Sequence, residues 1–249
     1  MREPLKFLFK FPCRGRLDSF FESLNSLNDN IRNRDSYHIA LTLDEDDIIL
    51  NKPEVIEKIN AYPNVSIQWG LSESKINAIN RSMPDYDWDI IICWSNDMIA
   101  VCFGFDDIMR ADASQQLDKH DYDLLLHFPE PDTLEVLNTL YIATKKFYNR
   151  FGYIYHPSYF SLFSDNETMA VGQMLNRYHF FSTPGLYVHR NPAYNSHGMP
   201  SDSLFLHQQS LWPIDEANYY ERAKIKFGLK DEEIINKNIT AGGRLHNFE

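Results

Sequence analysis

Cysteine is scarce, with Cys13, Cys93 and Cys102 the only three in 249 residues and no CxxC spacing among them. An odd, scattered set excludes a disulfide framework and a structural zinc site, and it favours a reducing compartment. Long hydrophobic runs are missing too, since no stretch approaches the ~20 apolar residues that span a bilayer. The opening segment MREPLKFLFKFPCRGR is too short in apolar residues, and too interrupted by lysine, for a signal peptide. Positive charge is in deficit. A net charge of -11 disfavours a nucleic-acid binder that relies on a broad basic surface. A local basic groove built from Arg14, Arg16, Lys75 and Arg81 stays open. Internal repeats and low-complexity linkers are absent as well. What is present is ordinary globular composition, 43% hydrophobic and 24% charged, in a chain long enough to bury a full core.

Strand and helix patterns alternate through residues 1–110. Leu5 to Phe11 reads as a strand, and Leu17, Phe20, Phe21, Leu24, Leu27 and Ile31 follow at helical spacing. SYHIALTLDEDD is a strand ending in acids, and Pro53 opens the helix PEVIEKINAY. NVSIQW is a third strand, SESKINAINRSM a helix capped by Ser72 or Ser74, and WDIIICW a fourth strand. Such alternation predicts an α/β fold, a mainly parallel sheet flanked by helices. Beyond it, YDLLLHF reads as a strand, IATKKFYNRF and NETMAVGQML as helices, and FFSTPGLYVHR as a strand ending at His189. Residues 191–203 read as a loop, DEANYYERAKIKFGL as a C-terminal helix, and the last residues as loose.

A parallel sheet delivers its strand ends to one rim, where open α/β sheets bind ligands. Arg14, Asp44, the segment Ser72–Lys75 and Asp97 all lie just past predicted strands. Carboxylates mixed with Arg and Lys suit a nucleotide with a hard divalent cation, which takes oxygen ligands and bridges diphosphate oxygens. Turn chemistry alone also places Asp after strands.

Four segments carry a resemblance: FPCRGR after the first strand, TLDEDD after the second, LSESKINAIN after the third, and WSNDMIAVCFGFDDIMR after the fourth. With LNTLYIATKKFYNRFGYIYHPSY, LFSDNETMAV and VHRNP downstream, the chain resembles a family 2-type glycosyltransferase of the GT-A fold, particularly small bacterial and phage members. The resemblance implies a Rossmann-like, mixed but mainly parallel sheet in one domain over residues 1–228. Residues 1–110 would bind the nucleotide-sugar, residues 111–228 would carry the acceptor and catalytic half, and 229–249 would form a tail. It implies a hexosyl- or pentosyltransferase working in the cytoplasm with a nucleoside diphosphate-sugar and Mn²⁺ or Mg²⁺. Pro12, Arg14, Asp44, Ser74, Lys75, Asn96 and Asp97 match donor-binding positions, with Asn96 standing where an acid is usual. Asp97 and His189 match metal-ligand positions. Asp165 matches the catalytic base, with Glu167 in reserve.

The same Asp165 also suits the N-terminus of the helix NETMAVGQML, with Glu167 and Thr168 completing a capping turn. The acceptor the resemblance implies is a glycan or a hydroxymethylated base in phage DNA. Other readings are a binding module that has lost turnover, suggested by Asn96, and a sugar-nucleotide nucleotidyltransferase, which would want more glycine than PCRGRLD offers. Trp94 reads as a stacking platform or as core. His156 and the aromatics Phe147, Tyr148, Phe151, Tyr153, Tyr155 and Tyr159 read as packing or as an acceptor surface, with packing favoured. His197 and His207 have no partner at a metal-ligand spacing.

Overall fold

The computed structural model describes residues 3–193 and 198–248, so His197 lies outside the described residues. The first half alternates as expected: β1 (Phe7–Cys13), α1 (Leu17–Asn30), β2 (Tyr37–Asp44), α2 (Pro53–Asn60), β3 (Val65–Gly70), α3 (Lys75–Asn80) and β4 (Ile90–Cys93). The second half continues with β5 (Met98–Ala100), α4 (Phe105–Leu117), β6 (Leu125–His127), β7 (Ile142–Thr144), α5 (Lys145–Phe151) and α6 (Ser164–Met174). It closes with β8 (Tyr178–Phe180), β9 (Tyr187–His189), α7 (Ser203–Ser210), α8 (Trp212–Lys224), β10 (Asn238–Ala241) and β11 (Arg244–Asn247).

Seven strands form the central sheet in the order β3-β2-β1-β4-β7-β6-β8. Only β7 runs against its neighbours, so the other six deliver their carboxyl ends to one rim. Side chains alternate across β1. Phe7, Phe9 and Phe11 pack into the layer that holds Phe20, Leu24 and Leu27 of α1, while Leu8 joins the opposite layer with Ile76 of α3 and Met169 of α6. Lys10 also points to that second side and is fully buried, donating from Nζ to the carbonyls of Arg81 (2.5 Å) and Ser82 (2.6 Å). Burial lowers its pKa to about 8.

The structure corrects several local expectations. IATKKFYNRF is not one helix: Ile142–Thr144 form β7, and α5 starts where the Thr144 hydroxyl accepts the Phe147 N–H. The apolar run FFSTPGLYVHR is interrupted at Pro184-Gly185, leaving β9 to pair outside the main sheet with β5. Helix α7 rises inside what reads as the end of a loop, because Asp202 caps it by accepting the Phe205 N–H (2.8 Å). The last residues are not loose. β10 and β11 pair as a hairpin that buries Ile239, Ala241 and Phe248 in the layer beneath α6 and α8.

Candidate active site

Every predicted donor and metal residue reaches one cavity of about 470 Å³ at the carboxyl rim. Its walls include Pro12 and Arg14 after β1, Asp44 at the end of β2, Ser74 and Lys75 opening α3, Asn96 and Asp97 after β4, and His189 at the end of β9. Ser74 also caps α3, its hydroxyl accepting the Asn77 N–H at 3.0 Å.

Asp44 is the hub of the floor. Its Oδ2 accepts from Arg14 (2.8 Å), and its Oδ1 accepts from Ser72 (2.7 Å) and Arg81 (3.1 Å). Arg14 also grips Asp46 through both terminal nitrogens, and the two carboxylates push its pKa further above the ordinary arginine range. Gly15 and Arg16 both take left-handed backbone conformations (φ 58° and 48°), a turn that only glycine enters without cost. The turn aims the Gly15 N–H at Asp47 (2.7 Å) and carries the Arg16 guanidinium to Asp202 as a bidentate pair (2.6 and 2.7 Å). That pair ties the start of α7 to the β1 loop, and Leu204 and His207 of α7 close the cavity from above.

The strand pairing of β5 with β9 sets Met98 opposite His189. Asp97 Oδ2 therefore lies 3.5 Å from His189 Nε2, and the Ser95 hydroxyl donates to the other Asp97 oxygen. Burial works against both charges, but each outweighs it for the other. The carboxylate of Asp97 is held well below the usual range by His189, and His189 is raised to about 10 by Asp97 and Glu130. Among the described residues, no group of three His, Cys, Asp or Glu forms a ready metal cage. Asp97 and His189 are nonetheless spaced as two ligands of one ion would be, since bonds of about 2.1 Å at ordinary coordination angles set ligand atoms roughly 3–3.5 Å apart.

A second cavity of about 440 Å³ adjoins the first, sharing Lys75, Thr139, Tyr155 and His189 with it. Asp165 lines this second space, together with Asp132, Trp212 and Arg244. Phe163, with φ 61°, stands at the N-cap of α6, so Asp165 sits inside the first turn and caps nothing from the N-cap position. Its Oδ1 accepts its neighbour's N–H, from Asn166 at 2.9 Å, and Thr168 donates back to Ser164. Burial raises the Asp165 pKa above the ordinary carboxylate value.

Glu167 goes elsewhere. It is buried, gripped by Arg222 through two bonds of 2.6 Å and by the Tyr159 hydroxyl (2.7 Å), and it lines neither large cavity. Trp94 is core, 1% exposed with its indole N–H on Ser23 (2.9 Å). Of the aromatic candidates, Phe147, Tyr155 and Tyr159 are buried, and only Tyr155 touches the cavities. His156 turns to Ser158 (2.8 Å), away from both. Arg16 and Arg81, expected only as members of a basic groove, and Ser72, expected as a cap or as part of the rim, instead order the acids Asp202 and Asp44, and His207 had no expected role. For His207 a signal existed: Asp202 followed by SLFLHQQ is a capped helix.

No family model matches the chain, and no curated protein matches it. Solved structures do. The chain is 15% identical to residues 1–349 of S. aureus TarS, covering 76% of itself and 61% of that chain with a TM-score of 0.57. The same TarS fragment in complex with UDP-GlcNAc matches over 85% of this chain and 66% of that one, again at 15% identity and TM-score 0.57. A mannosyltransferase from Pyrobaculum calidifontis, PcManGT, in complex with GDP-Man and Mn²⁺, matches at 12% identity over 74% of this chain and 56% of that one, with a TM-score of 0.56. The chain thus spans about three fifths of the length of such neighbours. Likeness at these identities is likeness of fold, and the fold is GT-A.

Proposed function

We propose that this chain moves a sugar from a nucleoside diphosphate-sugar to an acceptor hydroxyl, with inversion at the anomeric carbon. One observation carries the reading: two cavities meet at Lys75 and His189, one walled by the rim residues and the other by a carboxylate with a raised pKa. The donor would lie in the first, with base or ribose against Asp44 and the diphosphate toward Lys75 and Asp97. The acceptor would lie in the second, against Asp165. As the acceptor oxygen bonds to the anomeric carbon, Asp165 takes its proton, and the carbon–oxygen bond to the diphosphate breaks with its electron pair. Asp97 and His189 are the residues that would hold Mn²⁺ or Mg²⁺, with Asn96 offering a carbonyl oxygen at the edge. A bound cation supplies positive charge to the leaving diphosphate. Lys75 places a further positive charge on the same wall.

A neutral glycan suits the acceptor space better than a hydroxymethylated base in DNA. Arg14 and Arg81 are held by Asp44, and Arg16 by Asp202, so three of the four residues expected to form a basic groove are already paired. We place the protein in the cytoplasm, in line with its three unbridged thiols; no helix among the described residues is long and apolar enough to cross a membrane.

A thermal-shift screen of UDP-, GDP-, CDP- and dTDP-sugars, each with and without Mn²⁺, tests the reading. A ligand that binds only the folded state raises the melting temperature according to its concentration over Kd. One nucleotide should stand out, and more strongly with Mn²⁺. If none of them shifts the transition, the donor assignment is wrong. A preferred donor that binds but is never turned over, even beside a broad panel of glycan acceptors, would favour the binding-module reading raised by Asn96.

A further inference from the structure

Glu130 lies past β6 in the segment FPEPD, which no reading of the sequence above assigns to the site. It is 1% exposed, and a carboxylate so buried is costly unless its lone pairs are met. One oxygen, Oε1, accepts from the hydroxyls of Thr133 (3.0 Å) and Thr139 (2.7 Å). The other, Oε2, faces His189 Nδ1 at 3.4 Å. His189 Nε2 in turn faces Asp97 across 3.5 Å, at the edge of the donor cavity. Glu130 itself lines neither cavity, so it meets no ligand and can act only through the imidazole.

The arrangement has a direction. Two threonine hydroxyls pin one end of the carboxylate, which fixes where its other oxygen points. That oxygen faces Nδ1 at 3.4 Å, and an imidazole that keeps its Nδ1 proton when Nε2 gives up its own has the Nε2 lone pair available beside Asp97. A histidine that ligates a metal through one nitrogen almost always donates from the other to a carboxylate or carbonyl, which sets both tautomer and ring angle. We infer that Glu130 is the positioning residue for His189, holding its Nδ1 proton so that Nε2 and Asp97 present a preformed pair to a divalent cation. The inference rests on the reading of Asp97 and His189 as cation ligands. It adds to that reading a residue that touches neither cation nor substrate.

The test measures binding of Mn²⁺ alone to the intact chain, following the loss of free-ion signal by electron paramagnetic resonance. Parent, Asp97→Ala, Glu130→Gln and Thr139→Val are compared, with folding checked by circular dichroism. Removing such an outer carboxylate typically weakens metal binding ~10- to 100-fold. Glu130→Gln should show a loss of that size, and Thr139→Val a smaller one, since Thr133 still holds Oε1. Histidine ¹⁵N spectra of the metal-free proteins at a pH above 10 give a second readout: the parent should show the Nδ1–H tautomer at His189, and Glu130→Gln a mixture. Thr139→Val keeps the test valid should Glu130→Gln fail to fold. If the parent binds Mn²⁺ no better than Asp97→Ala, the cation reading itself fails and the inference falls with it. If Asp97→Ala loses the ion while Glu130→Gln and Thr139→Val keep parental affinity and tautomer, the cation reading stands and the role of Glu130 is refuted.

Discussion

Asp165 and Glu167 lie two residues apart in the first turn of α6, and their surroundings separate them. Asp165 lines the second cavity and is held locally by the Asn166 N–H, whereas Glu167 is locked to Arg222 and Tyr159. Asp165→Asn should therefore cost ~10² to 10⁴ in kcat, the usual loss of a general base, with donor Kd and melting temperature little changed. Because burial raises its pKa, the parent's rate should fall on the acid side at a pH above the ordinary aspartate value, as the base becomes protonated. Glu167→Gln should do the opposite, costing about 3–5 kcal/mol of stability by breaking a buried ion pair while sparing the rate per folded molecule. Parallel kcat and urea-unfolding measurements on the two variants decide between these roles, and reversed outcomes would hand the base to Glu167. The sequence showed two acids near a helix start and ranked them by resemblance. It could not show which one had an arginine waiting, because Arg222 comes from α8, far along the chain. The Arg81–Asp44 pair was hidden similarly: Asp44 ends β2, and only the folded sheet brings the end of α3 alongside it.

Elements were legible where their periodicity was local. The run of strands and helices to β4 reads directly from apolar spacing, proline and cap residues, and the strand-end rule pointed to Arg14, Asp44, Ser72–Lys75 and Asp97, which do line one cavity. The C-terminal hairpin escaped because TAGGRLHNFE has polar, glycine-rich letters whose few apolar members find cover only against α6 and α8. Its turn is demanding. Gly242 has φ 56°, and a Cβ there would come within 1.7 Å of Asn166 Nδ2, beside Asp165. Gly242→Ala should lose about 1–3 kcal/mol through left-handed strain alone. It should also lower kcat by displacing Asn166 from the wall of the cavity that Asp165 lines. Gly243→Ala, with φ 72° and an ordinary 3.9 Å contact to Val136, is the control: similar strain, unchanged kcat. Equal kcat losses in the two variants, measured beside their unfolding free energies, would remove Asn166 from the explanation.

For the molecule as a whole, two buried bases set opposing trends with pH. His189 has a folded pKa of about 10 against an ordinary 6.5, so its stabilising contribution is complete below 6.5 and disappears as pH rises toward 10. Lys10 is shifted the other way, to about 8 from 10.5, so the cost of burying its charge is relieved between those values. The signs combine simply. In the metal-free protein, the melting temperature should decline from pH 6.5 to about 8 and then level off. Lys10→Met should extend the decline beyond pH 8, and His189→Gln should abolish it. A melting temperature that rises between pH 6.5 and 8 in the parent would contradict the charged His189–Asp97 pair.

The β5–β9 pairing that sets His189 beside Asp97 also has a consequence in time. Asp97 leaves the sheet in the first half of the chain, while His189 arrives only after α5, α6 and β8 have been laid down. Closing so long a loop is among the entropically expensive steps of folding, and contacts of high sequence separation form slowly. A refolding chain should thus regain its helices first and the His189–Asp97 contact last. The same order applies on the ribosome, where a nascent chain that has completed β4 already carries Arg14, Asp44 and Lys75 of the rim but lacks the imidazole that faces Asp97.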